Sequence, residues 1–169
     1  MNASPRSLEP ETNAQESANA APETTGGKSA NTADGLRTVL DYLRSVPAWY
    51  LATCEGDQPH VRPFSFVALE QDTLWFCTAT TKDVYRELQE NPKLELTAWK
   101  PGSGWIIVRG RADLHDRASA AVRQAGFDHM CALGEYHASP DAAELTFFTI
   151  VDAQGWICDI DGSWNPLSL

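Results

Sequence analysis

Two short stretches carry residue types able to hold an anion. The first is CTATTKDVYRELQENP, Cys77 to Pro92, where an apolar strand-like run ends in Thr78, Thr80 and Thr81, followed at once by Lys82 and a helical pattern. A helix start presents unpaired backbone N–H groups and a partial positive charge, which together suit an anion. Threonine hydroxyls add donors, and Lys82 adds a full cation. Thr80 is expected to cap the helix, with Asp83 resembling the acidic half of a capping box. That explains one threonine. A lysine at a positive helix end is mildly unfavourable unless something negative compensates, and either Asp83 or a bound phosphate can do so. The stretch is not a P-loop, since G-x-x-x-x-G-K-[ST] and G-x-G-x-x-G are both absent.

The second stretch is HVRPFSFVAL, His60 to Leu69. Alternation along a strand puts Arg62, Phe64 and Phe66 on one face, opposite Val61, Ser65 and Val67. An arginine aligned with phenylalanines calls for an anion or an aromatic ring, unless it is an edge residue whose stem covers them. Pro63 removes a ladder donor and favours an edge or a bulge. In a meander the end of the next strand lies beside this one, so Arg62 and the threonines are expected to converge on a phosphate-bearing aromatic ligand. Other candidates carry less. His129, Cys131 and His137 match no zinc spacing, and Cys131 has no partner base.

These residues need elements to position them. Leu36, Val39, Leu40 and Leu43 recur at helical spacing, with Asp34 as expected N-cap. WYLATC, HVRPFSFVAL and TLWFCTA read as three strands joined by tight turns, which favours antiparallel pairing. A helix from about Thr81 to Glu90 buries Val84, Tyr85 and Leu88 and stops at Asn91-Pro92. LELTAW and GWIIVRGRADL pair across KPGSG. Asp116 is expected to cap a helix with Ala118, Ala121, Val122 and Ala125 on one face and Gly126 after it. LTFFTIVDA and GWICDI read as a closing hairpin. The expected fold is α+β and mainly β: an antiparallel barrel of six or seven strands with flanking helices.

Composition narrows the function classes. The 169 residues carry a net charge of −10, so the chain repels a phosphate backbone and nucleic-acid binding is not expected. No run approaches the ~18 apolar residues of a membrane span, and no basic amphipathic helix suits a membrane surface. Cys54, Cys77, Cys131 and Cys158 form no C-x-x-C pair and are read as reduced thiols of a cytoplasmic protein. Residues 1–33 are polar and poor in large aliphatics, and are expected to be a disordered tail before a domain over 34–169.

The ordered set YLAT, GDQPHVRPFSF, TLWFCTATTKDVYRELQENPKLEL and GWIIVRGRADL resembles the pyridoxamine 5′-phosphate oxidase-like family of FMN-binding split barrels, in its small nitroimidazole-resistance-like branch. The resemblance runs from about Leu36 to Ile160. It implies a homodimer with FMN at the interface, where Arg62 reaches the phosphate or ribityl chain and Pro63 and Phe64 present backbone to the ring. It further implies that Thr78 contacts the flavin, that Thr80, Thr81 and Lys82 hold the phosphate, and that Trp105 reaches the flavin of the other subunit. Flavin-dependent oxidoreduction of a small molecule is the implied activity, with hydride from a reduced nicotinamide. A non-catalytic barrel holding FMN, deazaflavin or haem is the alternative. The chain ends in DGSWNPLSL and lacks the arginine-containing terminus of true pyridoxamine phosphate oxidases, which makes vitamin B6 phosphate an unexpected substrate.

Overall fold

The computed structural model describes residues 32–135 and 137–169. Residues 1–31 of the expected tail lie outside the described residues, and Thr32 and Ala33 open the first helix. Among the described residues three helices, α1 (Thr32–Arg44), α2 (Asp83–Glu90) and α3 (Ala120–Ala132), flank eight strands. The strands are β1 (Trp49–Glu55), β2 (Gln58–Phe64), β3 (Ala68–Glu70), β4 (Thr73–Ala79), β5 (Lys93–Lys100), β6 (Gly104–Asp113), β7 (Leu145–Cys158) and β8 (Trp164–Leu167). They form one antiparallel sheet in the order β2-β1-β5-β6-β7-β4-β3, with β8 on β7. This is the expected split-barrel class.

Two apolar clusters form the core. The larger joins α1 (Leu36, Val39, Leu40, Leu43) to Trp49, Leu51, Phe76, Leu96, Ile106 and Phe148 on the inner sheet face. The smaller lies outside β3, β4 and β7, where α3 covers Phe66, Trp75, Cys77 and Phe147. Strand β4 is therefore buried on both sides, which is why TLWFCTA carries apolar residues on both faces instead of alternating.

Four local expectations need correction. HVRPFSFVAL is not one strand: it breaks at residues 65–67 into β2 and β3, so Phe64 packs against the larger cluster and Phe66 enters the smaller. The sheet is not a simple meander either, because β4 pairs with β3 and β7, and β2 pairs with β1. LTFFTIVDA and GWICDI do not form a hairpin but one strand, β7, which bends at Asp152 (φ 53°) opposite the register shift between Arg109 and Arg111 of β6. Strand β8 then folds back onto its second half.

The fourth correction concerns α3. Its cap is Ser119, which accepts from the Val122 N–H at 3.2 Å. Asp116 instead accepts from the Ala118 and Phe147 N–H groups and pairs with Arg123 at 2.6 Å. The buried face is Val122, Gly126 and Met130, while Ala121 and Ala125 are exposed. Gly126 lies inside the helix and not after it; a Cβ there would lie 2.5 Å from the Phe147 ring, and its absence lets α3 approach β7.

Gly104, opening β6, makes a sharper demand. Its φ is +84°, and an added Cβ would meet the Cys158 carbonyl oxygen at 2.0 Å. Gly104→Ala is expected to cost about 2–4 kcal/mol, from a left-handed alanine plus a clash with backbone. Chemical denaturation measures it, and an unchanged midpoint would mean that the β6–β7 pair gives way freely.

Candidate functional site

The inner faces of β1 and β2 set the site. Their register places Trp49 against Phe64, Leu51 against Arg62 and Thr53 against His60. The face is aromatic at one end and polar at the other, and α2 covers the polar end. Along α2, Val84, Glu87 and Leu88 share one buried stripe. Glu87 thus carries a carboxylate into the protein with no exposed surface. Tyr85, expected in that position, is only partly buried.

Four side chains meet there. Glu87 Oε1 lies 2.6 Å from His60 Nδ1, and Oε2 accepts from Arg62 Nη2 at 2.6 Å and from the Thr53 hydroxyl. Arg62 Nη1 also donates to Thr53. Burial works to raise the Glu87 carboxyl, but the hydrogen bonds from Thr53, His60 and Arg62 and the Arg62 charge outweigh it, bringing it down to about 2. Glu87 therefore stays ionised at neutral pH, as counter-charge to Arg62. Glu55 brings a further oxygen within 4.8 Å of the His60 and Glu87 ligand atoms, a spacing a metal could use. Glu55 is matched by Arg86 at 2.6 Å and Glu87 by Arg62, so the arrangement reads as two linked ion pairs.

Outside this network lies an open cleft of about 640 Å³ lined by Pro59, His60, Val61, Arg62, Thr81, Lys82, Asp83, Val84 and Glu87. Arg62, Thr81 and Lys82, predicted from separate stretches, do meet here. They meet because α2 crosses the end of the β1–β2 hairpin, not because β4 lies beside β2. Thr80 does not cap α2. The Lys82 N–H turns back to the Ala79 carbonyl at 3.0 Å, so the helix opens at Asp83 with Lys82 in the cap position and no side-chain cap. Lys82 Nζ binds both oxygens of Glu135, at 2.8 and 2.7 Å, with both side chains nearly half exposed.

The remaining predicted residues, Pro63, Phe64, Thr78, Thr80 and Trp105, do not line this cleft. Thr80 is exposed, and its N–H extends the β4–β7 ladder to the Glu144 carbonyl. Thr78 is buried, and its Oγ1 has no hydrogen-bond partner among the described residues. Phe64 stacks on Trp49 at 5.1 Å, and Pro63 is on the exposed side of β2. Trp105 sits on β6, two strands from β1, edge-on to Trp164. Beside the cleft, burial pushes the Cys77 thiol up to about 12, which makes it packing material and not a nucleophile. All four cysteines are free.

Glu87 was the residue that sequence reading missed. The signal existed: it sits three residues after Val84 and one before Leu88, on the apolar stripe, while Arg62 lacked a counter-ion.

Comparison with known proteins agrees with this architecture. Residues 37–156 match the protein family described as pyridoxamine 5′-phosphate oxidase. A NimC/NimA family protein from Clostridium acetobutylicum is similar at 28% identity and a TM-score of 0.71, over 82% of this chain and 94% of that one. General stress protein 26 from Bacillus anthracis is similar in fold, with 16% identity and a TM-score of 0.60 over 80% and 98% of the two chains. So is a haem-binding protein from Mycobacterium smegmatis, with 16% identity and a TM-score of 0.57 over 83% of this chain and 59% of that one. No curated protein matches the chain. With the family profile spanning most of the chain, from α1 into the second half of β7, this protein belongs to the pyridoxamine 5′-phosphate oxidase family.

Proposed function

We propose that this chain binds FMN at the start of α2 and uses it, as a homodimer, for oxidoreduction of a small molecule. The observation carrying this reading is the convergence of Arg62, Thr81 and Lys82 on one cleft beside a helix start with no side-chain cap. The residues fit the group. A phosphate there meets the Lys82 ammonium, the Thr81 hydroxyl and the first N–H groups of α2. The buried Thr78 hydroxyl, on β4 three residues before Thr81, has no partner among the described residues and is a donor in need of an acceptor.

When bound, the flavin supplies the redox chemistry, and the chain supplies binding and orientation. Lys82 and Thr81 anchor the phosphate end. Glu87 holds Arg62 in one orientation, directly through Nη2 and through Thr53, at the wall of the cleft.

The dimer reading rests on the outer sheet face. Register and alternation place Val61 of β2, Tyr50 of β1, Trp99 of β5 and Trp105 of β6 on that same side. Val61 is 66% exposed, Tyr50 49% and Trp99 65%, a large apolar area for a sheet facing water. A second protomer seated there covers it and brings Trp105 toward the partner's flavin. No helix among the described residues is long and apolar enough to cross a membrane, and the reading is of a cytoplasmic protein.

Purified protein tests this directly. A yellow preparation absorbing near 450 nm, releasing FMN on denaturation, is the expected result. A Soret band would indicate haem instead, and a spectrum of another flavin a deazaflavin. Failure to bind added FMN would end the proposal. Oxidation of NADH or NADPH with a nitroaromatic or quinone acceptor then separates an enzyme from a binding protein.

A further inference from the structure

Outside the residues so far assigned to the phosphate, His60 also lines the cleft, with a side chain 34% exposed. Its Nδ1 is held 2.6 Å from Glu87 Oε1, and that carboxylate is itself fully buried and fixed by Thr53 and Arg62. A carboxylate acceptor assigns the proton to Nδ1, which leaves Nε2 as the nitrogen available to a ligand. A neutral ring would offer a phosphate dianion only a lone pair at Nε2. An imidazolium offers a second N–H.

Resting on the FMN reading, we infer that His60, oriented by Glu87, is a phosphate-recognising residue that takes up a proton when the cofactor phosphate binds. The site then selects a phosphorylated flavin over its unphosphorylated form, with an affinity that falls as pH rises. His60 is the binding residue, and Glu87 is a positioning residue acting through it.

The charges around His60 agree with this. From β1, Thr53 and Glu55 face it; from β2, Arg62; from α2, Asp83 and Glu87, with Arg86 bonded to Glu55. Lys82, in the turn before α2, lies across the cleft and pairs with Glu135. Glu87 is balanced by Arg62 and Glu55 by Arg86, and Lys82 has Glu135. A dianion entering this set brings charge that the fixed cations do not fully match. Among the described residues lining the cleft, His60 is the side chain of the type that ordinarily changes its charge near neutral pH. The phosphate's own second ionisation lies near pH 6, so proton uptake measured above pH 7 belongs to the protein.

The test uses the full chain, with FMN and riboflavin as probes, by fluorescence titration from pH 7 to 8.5. Calorimetry in two buffers of different ionisation enthalpy counts protons. FMN affinity of the wild type is expected to weaken about five- to tenfold across this range, since up to one proton is linked to binding. Riboflavin affinity should stay flat. His60→Gln should flatten the FMN profile and narrow the preference for FMN over riboflavin. The wild-type proton count needs no variant: an uptake near zero overturns the inference, as does a His60→Gln profile parallel to the wild type. Absence of FMN binding at every pH would instead overturn the reading beneath it.

Discussion

Replacing Glu87 by alanine is expected to lower folding stability by about 3–5 kcal/mol, the cost of leaving a buried charge without its partner. Typical domains have ~5–15 kcal/mol in total, so the variant loses a large share of what it has. The size follows from what the carboxylate holds. Arg62 and Thr53 lose their acceptor, His60 loses its orientation, and a void opens on the α2 stripe between Val84 and Leu88. Glu87→Gln keeps the volume and one acceptor, so it should cost less, about 2 kcal/mol. The pH dependence has a definite sign. The Glu87 carboxyl falls from its ordinary 4.5 to about 2 on folding, so its contribution is fully present above about pH 5 and is lost as pH falls toward 2. A depression of that size corresponds to roughly 3 kcal/mol. Asp113 and Asp161 are shifted in the same direction and add to acid sensitivity. Urea midpoints from pH 6 to 2 measure this. The gap between wild type and Glu87→Gln should close as the pH drops, and a constant gap would assign the loss to packing alone.

This carboxylate marks where the sequence could be read and where it could not. The α1 stripe, the β1–β2 and β5–β6 hairpins and the antiparallel class were legible, because each rests on contacts between near neighbours in sequence. Spacing alone fixed Leu36, Val39, Leu40 and Leu43 as core. The break at residues 65–67 and the continuous β7 were not legible. Both depend on which sheet half a strand joins, and that is decided by α3 and by β6, far away in the chain. The site shows the same division. Arg62 stands out because a charge aligned with phenylalanines needs a reason and Lys82 because a cation at a helix start does, and both line the cleft. The route was wrong, however, since α2 and not the neighbouring strand brings them together. Glu87 looked like a helix-surface glutamate, and only its register against Thr53, His60 and Arg62 makes it internal. Trp105 stands on the outer face with Trp99.

Lys82→Ala should weaken FMN binding by about 1–3 kcal/mol, roughly 5- to 150-fold in Kd, the scale of losing a charge-assisted partner. It should leave stability nearly unchanged, because the side chain is about half exposed and sits at a helix cap with no side-chain capping bond. That combination separates a binding role from a structural one, and it sets Lys82 apart from Glu87, where stability moves first. The Glu135 pair does not argue against the role. An exposed ion pair contributes at most ~1 kcal/mol, so a phosphate dianion can take its place at small cost. Glu135→Gln therefore serves as the control. If Glu135 competes for the ammonium, FMN binds equally well or a few-fold tighter in that variant. If Glu135 instead holds Lys82 in place for the phosphate, binding weakens. Riboflavin, which has no phosphate, should be insensitive to both substitutions. Equal losses for FMN and riboflavin in Lys82→Ala would mean that the lysine meets the ring and not the phosphate. Unchanged FMN affinity would reduce it to solvation of the helix start. A lysine at the positive end of a helix is explained only if a negative group is there, and with Asp83 turned to Arg86, Glu135 and a phosphate are the two on offer. These variants tell them apart.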